Sequence, residues 1–228
     1  MKLLALDTST EACSVALLYQ DNIIALDEVC PQQHSKRVLP MIDNVLAEAG
    51  LSLTDLDGIV FGRGPGSFTG VRIGVSVAQG LAFGADLPVF GVSTLAAMAQ
   101  AAVRLHQASQ IVAAIDARMA EVYLGCFGCD ATGIVQPLTT EQAVKPQSLS
   151  SLGLSGKVMA VGTGWQTYVD ELQRAQPAQI ISNILYPSAQ DMLRLAQQPF
   201  IDGHFVSAAQ AEPVYVRDEV SWKKLSGR

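Results

Sequence analysis

Histidine is nearly absent from these 228 residues, which contain His34, His106 and His204 and no others. They are too scattered for His-x-x-x-His or His-Glu-x-x-His, which argues against a histidine metal site. None stands beside a nucleophile in a way that makes a triad legible. Cysteine is scarce as well, with Cys13, Cys30, Cys126 and Cys129. Zinc held by Cys126-Phe127-Gly128-Cys129 would need a second pair at matching spacing, which Cys13 and Cys30 do not supply. A redox pair would open a helix, where the dipole lowers a thiol pKa, whereas this one sits at a strand end before a turn. All four are read as reduced structural thiols. No apolar run approaches the ~18 residues of a membrane span. The N-terminal run Leu3-Leu4-Ala5-Leu6 is short and ends in Asp7, so it reads as a buried strand and not a signal peptide. A cytoplasmic protein with no membrane partner is expected.

Charge is the last shortage. Only 16% of residues are Asp, Glu, Lys or Arg, and 21 acidic against 15 basic give a net charge of −6. The only basic knots are Lys36-Arg37 and Lys223-Lys224, so tight binding of nucleic acid by this chain alone is not expected. What remains is apolar: 49% hydrophobic residues, enough for a sizeable core. So low a charge density means either an apolar surface covered by a partner or an interior rich in Ala and Gly, and composition leaves both open.

Strands are expected over residues 3–6, 13–18, 23–29, 59–61, 89–92, 121–127 and 158–161, with another opening at Ile111 and a returning one at Ile134-Val135. A hairpin turn is expected at Asp21-Asn22. Helical periodicity marks 35–49, stopped by Gly50 and containing Pro40, and 69–83, closed by Gly84. Ser93 caps a helix through about Leu105, 146–152 reads as a short helix, a helix follows Gly162-Thr163-Gly164, and Ser188 caps one over 189–197. The chain also echoes itself. Leu4-Ala5-Leu6-Asp7 and Ala113-Ala114-Ile115-Asp116 are both apolar strands ending in Asp, each followed by a tight turn into a second strand. This repeat predicts two α/β lobes of one topology, 1–105 and 106–228, with the tail from Pro213 packing back on one of them.

Three features could carry chemistry. The loop Gly62-Arg63-Gly64-Pro65-Gly66-Ser67-Phe68-Thr69-Gly70 joins a strand to a helix, the right context for cradling phosphate on backbone N–H groups. It lacks the Gly-Lys-Ser/Thr of a Walker A loop, the dinucleotide spacing and the Gly-x-Ser-x-Gly of a nucleophile elbow. A tight turn with close helix–strand packing is therefore favoured, with Arg63 and Arg72 as anion or partner contacts. Asp7-Thr8-Ser9 and the mirrored Asp116 could clamp nucleotide phosphates and Mg²⁺, or merely brace their turns. Thr8 occupies a place where close approach to phosphate favours glycine. The two helices over 35–49 and 69–83 carry apolar residues on more than one face, so they are buried all round or meet another subunit.

The set Asp7-Thr8-Ser9-Thr10, residues 61–74, Gly91-Val92-Ser93-Thr94, Ile115-Asp116-Ala117-Arg118 and Ala211-Glu212-Pro213-Val214-Tyr215 resembles the TsaB (YeaZ) family along the whole chain. The resemblance implies a two-lobed actin-like ATPase or sugar-kinase-like fold with duplicated mixed sheets. It implies a non-catalytic part in making N6-threonylcarbamoyladenosine at position 37 of tRNAs that read codons beginning with A. In that family the paralogue TsaD catalyses the transfer, TsaE joins as an ATPase, and tRNA is met only through the complex. The resemblance implies that the chain binds and activates TsaD through the two helices, and forms a homodimer through them when alone, with Val38, Met41, Ile42, Val45, Arg72, Val75 and Gln79 as the interface candidates. No cofactor is implied, except ATP or ADP at the complex interface. Where TsaD-type proteins carry metal-binding histidines after a Gly-Val, this chain has Thr94 and Met98, poor replacements for imidazole. The alternative is an ATP-binding enzyme of the sugar-kinase type resting on Asp7 and Asp116. A metallopeptidase finds no support.

Overall fold

The computed structural model describes residues 1–217. Strand β1 (Leu3–Asp7) is buried along its whole length, four aliphatic residues and a terminal carboxylate. It pairs antiparallel with β2 (Ala12–Tyr19), which pairs antiparallel with β3 (Asn22–Val29). On its other side it runs parallel to β4 (Gly58–Gly64), and β4 runs parallel to β5 (Val89–Ser93), giving the order β3-β2-β1-β4-β5. The hairpin between β2 and β3 turns on Gln20 and Asp21, both at positive φ, and not on Asp21-Asn22. Asn22 is already paired with Tyr19, and a two-residue loop with both members left-handed matches the strand twist.

The second sheet repeats this plan. β6 (Gln110–Arg118) pairs antiparallel with β7 (Glu121–Cys129), which carries β8 (Val135–Pro137) and β9 (Gln142–Val144). β10 (Val158–Val161) and β11 (Gln179–Ile180) lie parallel on the other side, in the order β11-β10-β6-β7-β8. The fold is the expected two-lobed α/β architecture with duplicated mixed sheets. β7 runs two residues past the expected 121–127 and ends at Cys129, so the Cys-x-x-Cys pair sits at a strand end before a turn, as expected.

Helices cover both faces of each sheet. α1 (His34–Ala49) and α2 (Phe68–Ala85) cover one face of the first. α3 (Thr94–His106) packs Leu95, Met98 and Ala102 on the second sheet, whose far face is closed by Trp165 of α4 (Gly164–Thr167) and Leu172 of α5 (Val169–Ala175). α6 (Ala189–Ile201) returns from the second half of the chain to pack Met192 and Leu193 on the first sheet. α3 and α6 thus form a shared middle layer. They are tied by Arg104, which donates through Nε and a terminal nitrogen to the two oxygens of the buried Asp191 at 2.8 Å each. Burial pushes the Asp191 carboxyl up, and the guanidinium bonds and charge oppose that shift.

Helix ends depart from expectation where non-glycine residues do glycine's work. α1 stops at Gly50 in the left-handed region, as expected. α2 runs past Gly84 and closes on left-handed Asp86, whose backbone N–H donates to Ala82 O; aspartate is among the few non-glycine residues that visit this region as single residues. Only a single 3-10 turn over Pro146–Ser148 replaces the helix expected over 146–152. α6 continues to Ile201, and the Ser188 hydroxyl donates to Asp27 instead of capping it.

Candidate functional site

The turns that follow β1 and β6 face each other across a cleft of about 440 Å³, lined by Ser9, Thr10, Glu11, Asp116, Arg118 and Tyr123 among others. The echo in the sequence becomes one piece of geometry used twice. Asp7 Oδ1 accepts from Ser9 N at 2.8 Å, and Asp116 Oδ1 accepts from Arg118 N at 2.9 Å. Each aspartate braces the backbone two residues on, the turn such short carboxylates favour.

Their environments then diverge. Asp7 is fully buried and does not line the cleft. Its Oδ1 also accepts from Ser9 Oγ at 2.7 Å, while Oδ2 has no partner among the described residues. Oδ2 lies against Gly62, where any Cβ would fall on it. Burial raises the Asp7 pKa to about 6, opposed by the bonds from Ser9. Asp116 reaches the cleft, but Arg118 Nη1 covers its Oδ2 at 3.2 Å. The same guanidinium crosses the cleft to Glu11 at 3.0 Å and ties the two turns together.

The glycine-rich loop accounts for the burial of the first turn. Ser67 N donates to Ser9 O at 2.7 Å, and Thr8 Oγ1 donates to Gly70 O at 2.6 Å. A Cβ at Gly66 would strike Ser9 O, and one at Gly70 would strike Thr8 O. The loop lies directly on the residues that a phosphate would have to approach, and Thr8 and Ser9 are buried beneath it. Asp7, Thr8 and Ser9 therefore do not form an open clamp with Asp116, and this donor set does not fit a nucleotide's phosphates and Mg²⁺. Thr94 and Met98 do not fit a metal either. Thr94 Oγ1 lies 3.0 Å from Ser9 Oγ, and Met98 is a core residue of the second sheet. Among the described residues, no group of three or more His, Cys, Asp or Glu side chains is placed to hold a metal.

The interface candidates need correction. Val38, Met41, Ile42, Val45 and Val75 are buried against the first sheet of their own chain. An amphipathic helix turns its richest apolar stripe to the core, and these residues are that stripe. Of the seven, Arg72 points outward, and Gln79 is half-buried with Nε2 donating to Ala211 O at 2.8 Å. The outward face of α2 consists of residues outside the seven interface candidates, apart from Arg72. Phe83 is 84% exposed and Phe68 55% exposed. Ser76, Gly80 and Gly84 lie between or beside them on the exposed side, and a Cβ at either glycine would meet open space. At the N-terminal end the Arg72 guanidinium sits 3.7 Å from the Phe68 ring centroid, and its Nε donates to Tyr215 Oη at 2.8 Å. The signal in the sequence was that apolar residues lie on more than one face of this helix; Val77 packs on the core, and Phe68 and Phe83 stay exposed.

Comparison with known proteins sets this geometry among relatives. The family model described as tRNA N6-adenosine threonylcarbamoyltransferase (TsaD) matches residues 25–218. The chain is 48% identical over 230 residues to the tRNA threonylcarbamoyladenosine biosynthesis protein TsaB of Escherichia coli K12, with 100% of both chains covered. It is 49% identical to the Haemophilus influenzae TsaB, covering 100% of this chain and 98% of the relative. Among solved structures, YeaZ from Pseudomonas aeruginosa matches with a TM-score of 0.88 and 45% identity, over 94% of this chain and 99% of that one.

Proposed function

The chain belongs to the TsaB family, kin to the TsaD transferases, and we propose from that premise that it serves tRNA threonylcarbamoyladenosine formation as a docking subunit and not as a catalyst. The observation that carries this reading is the outward face of α2. A helix that has already buried Val71, Val75, Ala78 and Ala82 still presents Phe68 and Phe83 to solvent around glycines that let another helix approach closely. Large exposed aromatics with small neighbours are what a helix-on-helix interface uses as anchors. The partner proposed is the catalytic paralogue TsaD, a chain of related fold that can offer an equivalent helix. TsaE joins that pair, tRNA is met through the complex, and any ATP or ADP is held at the shared interface. In the partner's absence a second copy of this chain covers the same face.

The test is titration of the purified chain with TsaD, followed by light scattering. The wild type is expected to form a heterodimer. Phe83→Glu places a charge at the C-terminal end of the apolar face and is expected to abolish it while leaving thermal unfolding unchanged, because Phe83 is 84% exposed. A heterodimer that forms equally well with Phe83→Glu overturns the assignment of the face.

A further inference from the structure

After Ala211 the chain crosses from the first lobe to the second. Ala211 is buried beneath α2. Val214 N donates to Arg63 O at 2.7 Å, at the end of β4. The Tyr215 ring lies 5.6 Å from that of Phe68, centroid to centroid, and its hydroxyl accepts from Arg72. Two residues later the contacts belong to the other lobe. Arg217 Nη2 donates to Ala117 O at 3.1 Å and pairs with Glu121 at 2.7 Å, with the guanidinium 5.7 Å from the Tyr123 ring centroid.

The turn that Arg217 grips is strained. Arg118, Met119 and Ala120 have φ values of 62°, 55° and 58°, three successive non-glycine residues in the left-handed region. Such residues persist only where surrounding contacts over-determine them. Here those contacts are the pairs from Arg118 to Asp116 and Glu11, and Arg217 on Ala117 and Glu121.

We propose that residues 213–217 form a strap between the two lobes, and that Arg217 is a positioning residue for the docking face. Anchored on Ala117 and Glu121, it holds Tyr215 against Phe68 and Arg72, so the N-terminal end of the α2 face is complete only while the strap is latched to the second lobe. Opening of the cleft that pulls the β6–β7 turn away unlatches the strap and weakens partner binding. The proposal rests on α2 being the face that meets TsaD. The strap adds control of that face's affinity from the opposite lobe.

Two substitutions in the full chain test it, Arg217→Ala and Glu121→Gln. Glu121 lies on the second lobe beyond the docking face, so its effect cannot come from direct contact with a partner there. Hydrogen exchange of the free chain is expected to rise in both 117–123 and 62–72 in either variant. Affinity for TsaD is expected to fall about fivefold or more, the effect of losing one partly buried ion pair. Faster exchange confined to 117–123 overturns the strap, because the latch then does not reach α2. Loss of affinity in Arg217→Ala with Glu121→Gln at the wild-type level also overturns it, and assigns Arg217 a direct contact instead. The two readings fail separately. Phe83→Glu tests the face by affinity alone, while exchange in the free chain tests the strap with no partner present.

Discussion

Replacing Asp7 with asparagine separates a structural brace from a phosphate clamp. Asp7 is 1% exposed, and its Oδ2 has no hydrogen-bond partner among the described residues. Burial raises its pKa from 3.8 to about 6. Below the lower value both folded and unfolded chains hold the proton. Between the two, the unfolded chain has released it while the folded chain retains it, so stability falls as pH rises. Above the folded value the contribution is flat at its minimum. At ~1.4 kcal/mol per pKa unit, the loss across this window is roughly 3 kcal/mol. The asparagine side-chain oxygen can keep both bonds from Ser9, while its amide group replaces the unpartnered oxygen and costs about 1–2 kcal/mol as an unmet donor.

Urea unfolding of both chains between pH 4 and pH 8 provides the assay. The wild type is expected to lose stability relative to Asp7→Asn as pH rises through the window. At pH 8 the variant should equal or exceed the wild type by about 1–2 kcal/mol, because it carries no buried, uncompensated charge. The variant should still bind TsaD, since Asp7 is fully buried and is not part of the exposed α2 face. A stability gap that does not change with pH, or one that widens in favour of the wild type as pH rises, would refute the reasoning. Either result would mean that the carboxylate is well satisfied as an anion, as a clamp for a cation requires.

Gly70→Ala is expected to destabilise the chain by about 2–3 kcal/mol, measured by urea unfolding, because the added Cβ strikes the Thr8 carbonyl oxygen and one side of the loop must shift. Calorimetry of the free chain with ATP and Mg²⁺ is expected to give no binding heat at millimolar nucleotide, since Thr8 and Ser9 are buried beneath the chain's own loop. A saturable heat that disappears in Asp116→Ala would instead support nucleotide in the cleft.

The parts of this molecule that were legible in the sequence are those fixed by neighbours a few residues apart. The strand runs, the Gly50 stop and the Ser93 cap, whose hydroxyl accepts from Ala96 N, are local chemistry, and their residues announce them. So is the Asp7–Asp116 echo, because each carboxylate bonds a backbone N–H two positions on. The end of α2 was not legible, because Asp86 adopts a conformation for which Gly84 was the obvious candidate. The ties between lobes left no local trace at all. Glu11 and Arg118 are separated by 107 positions, and the strap joins Arg72 to Tyr215 across 143.

The interface shows where periodicity misleads. An apolar stripe states that a helix face is covered and does not say by what. On α1 the stripe of Val38, Met41, Ile42 and Val45 is used by the chain's own sheet. Such residues bury themselves on folding and are unavailable to a partner. The informative residues are the apolar ones left over after the core is satisfied, and on α2 these are Phe68 and Phe83. The glycine-rich loop follows the same logic in reverse. Its glycines suggest room for a phosphate, yet Gly66 and Gly70 lack side chains because the Thr8-Ser9 turn occupies that room. In both places the deciding question is which part of the chain arrives first. Here the Thr8-Ser9 turn fills the room beside Gly66 and Gly70, while Phe68 and Phe83 on α2 stay exposed.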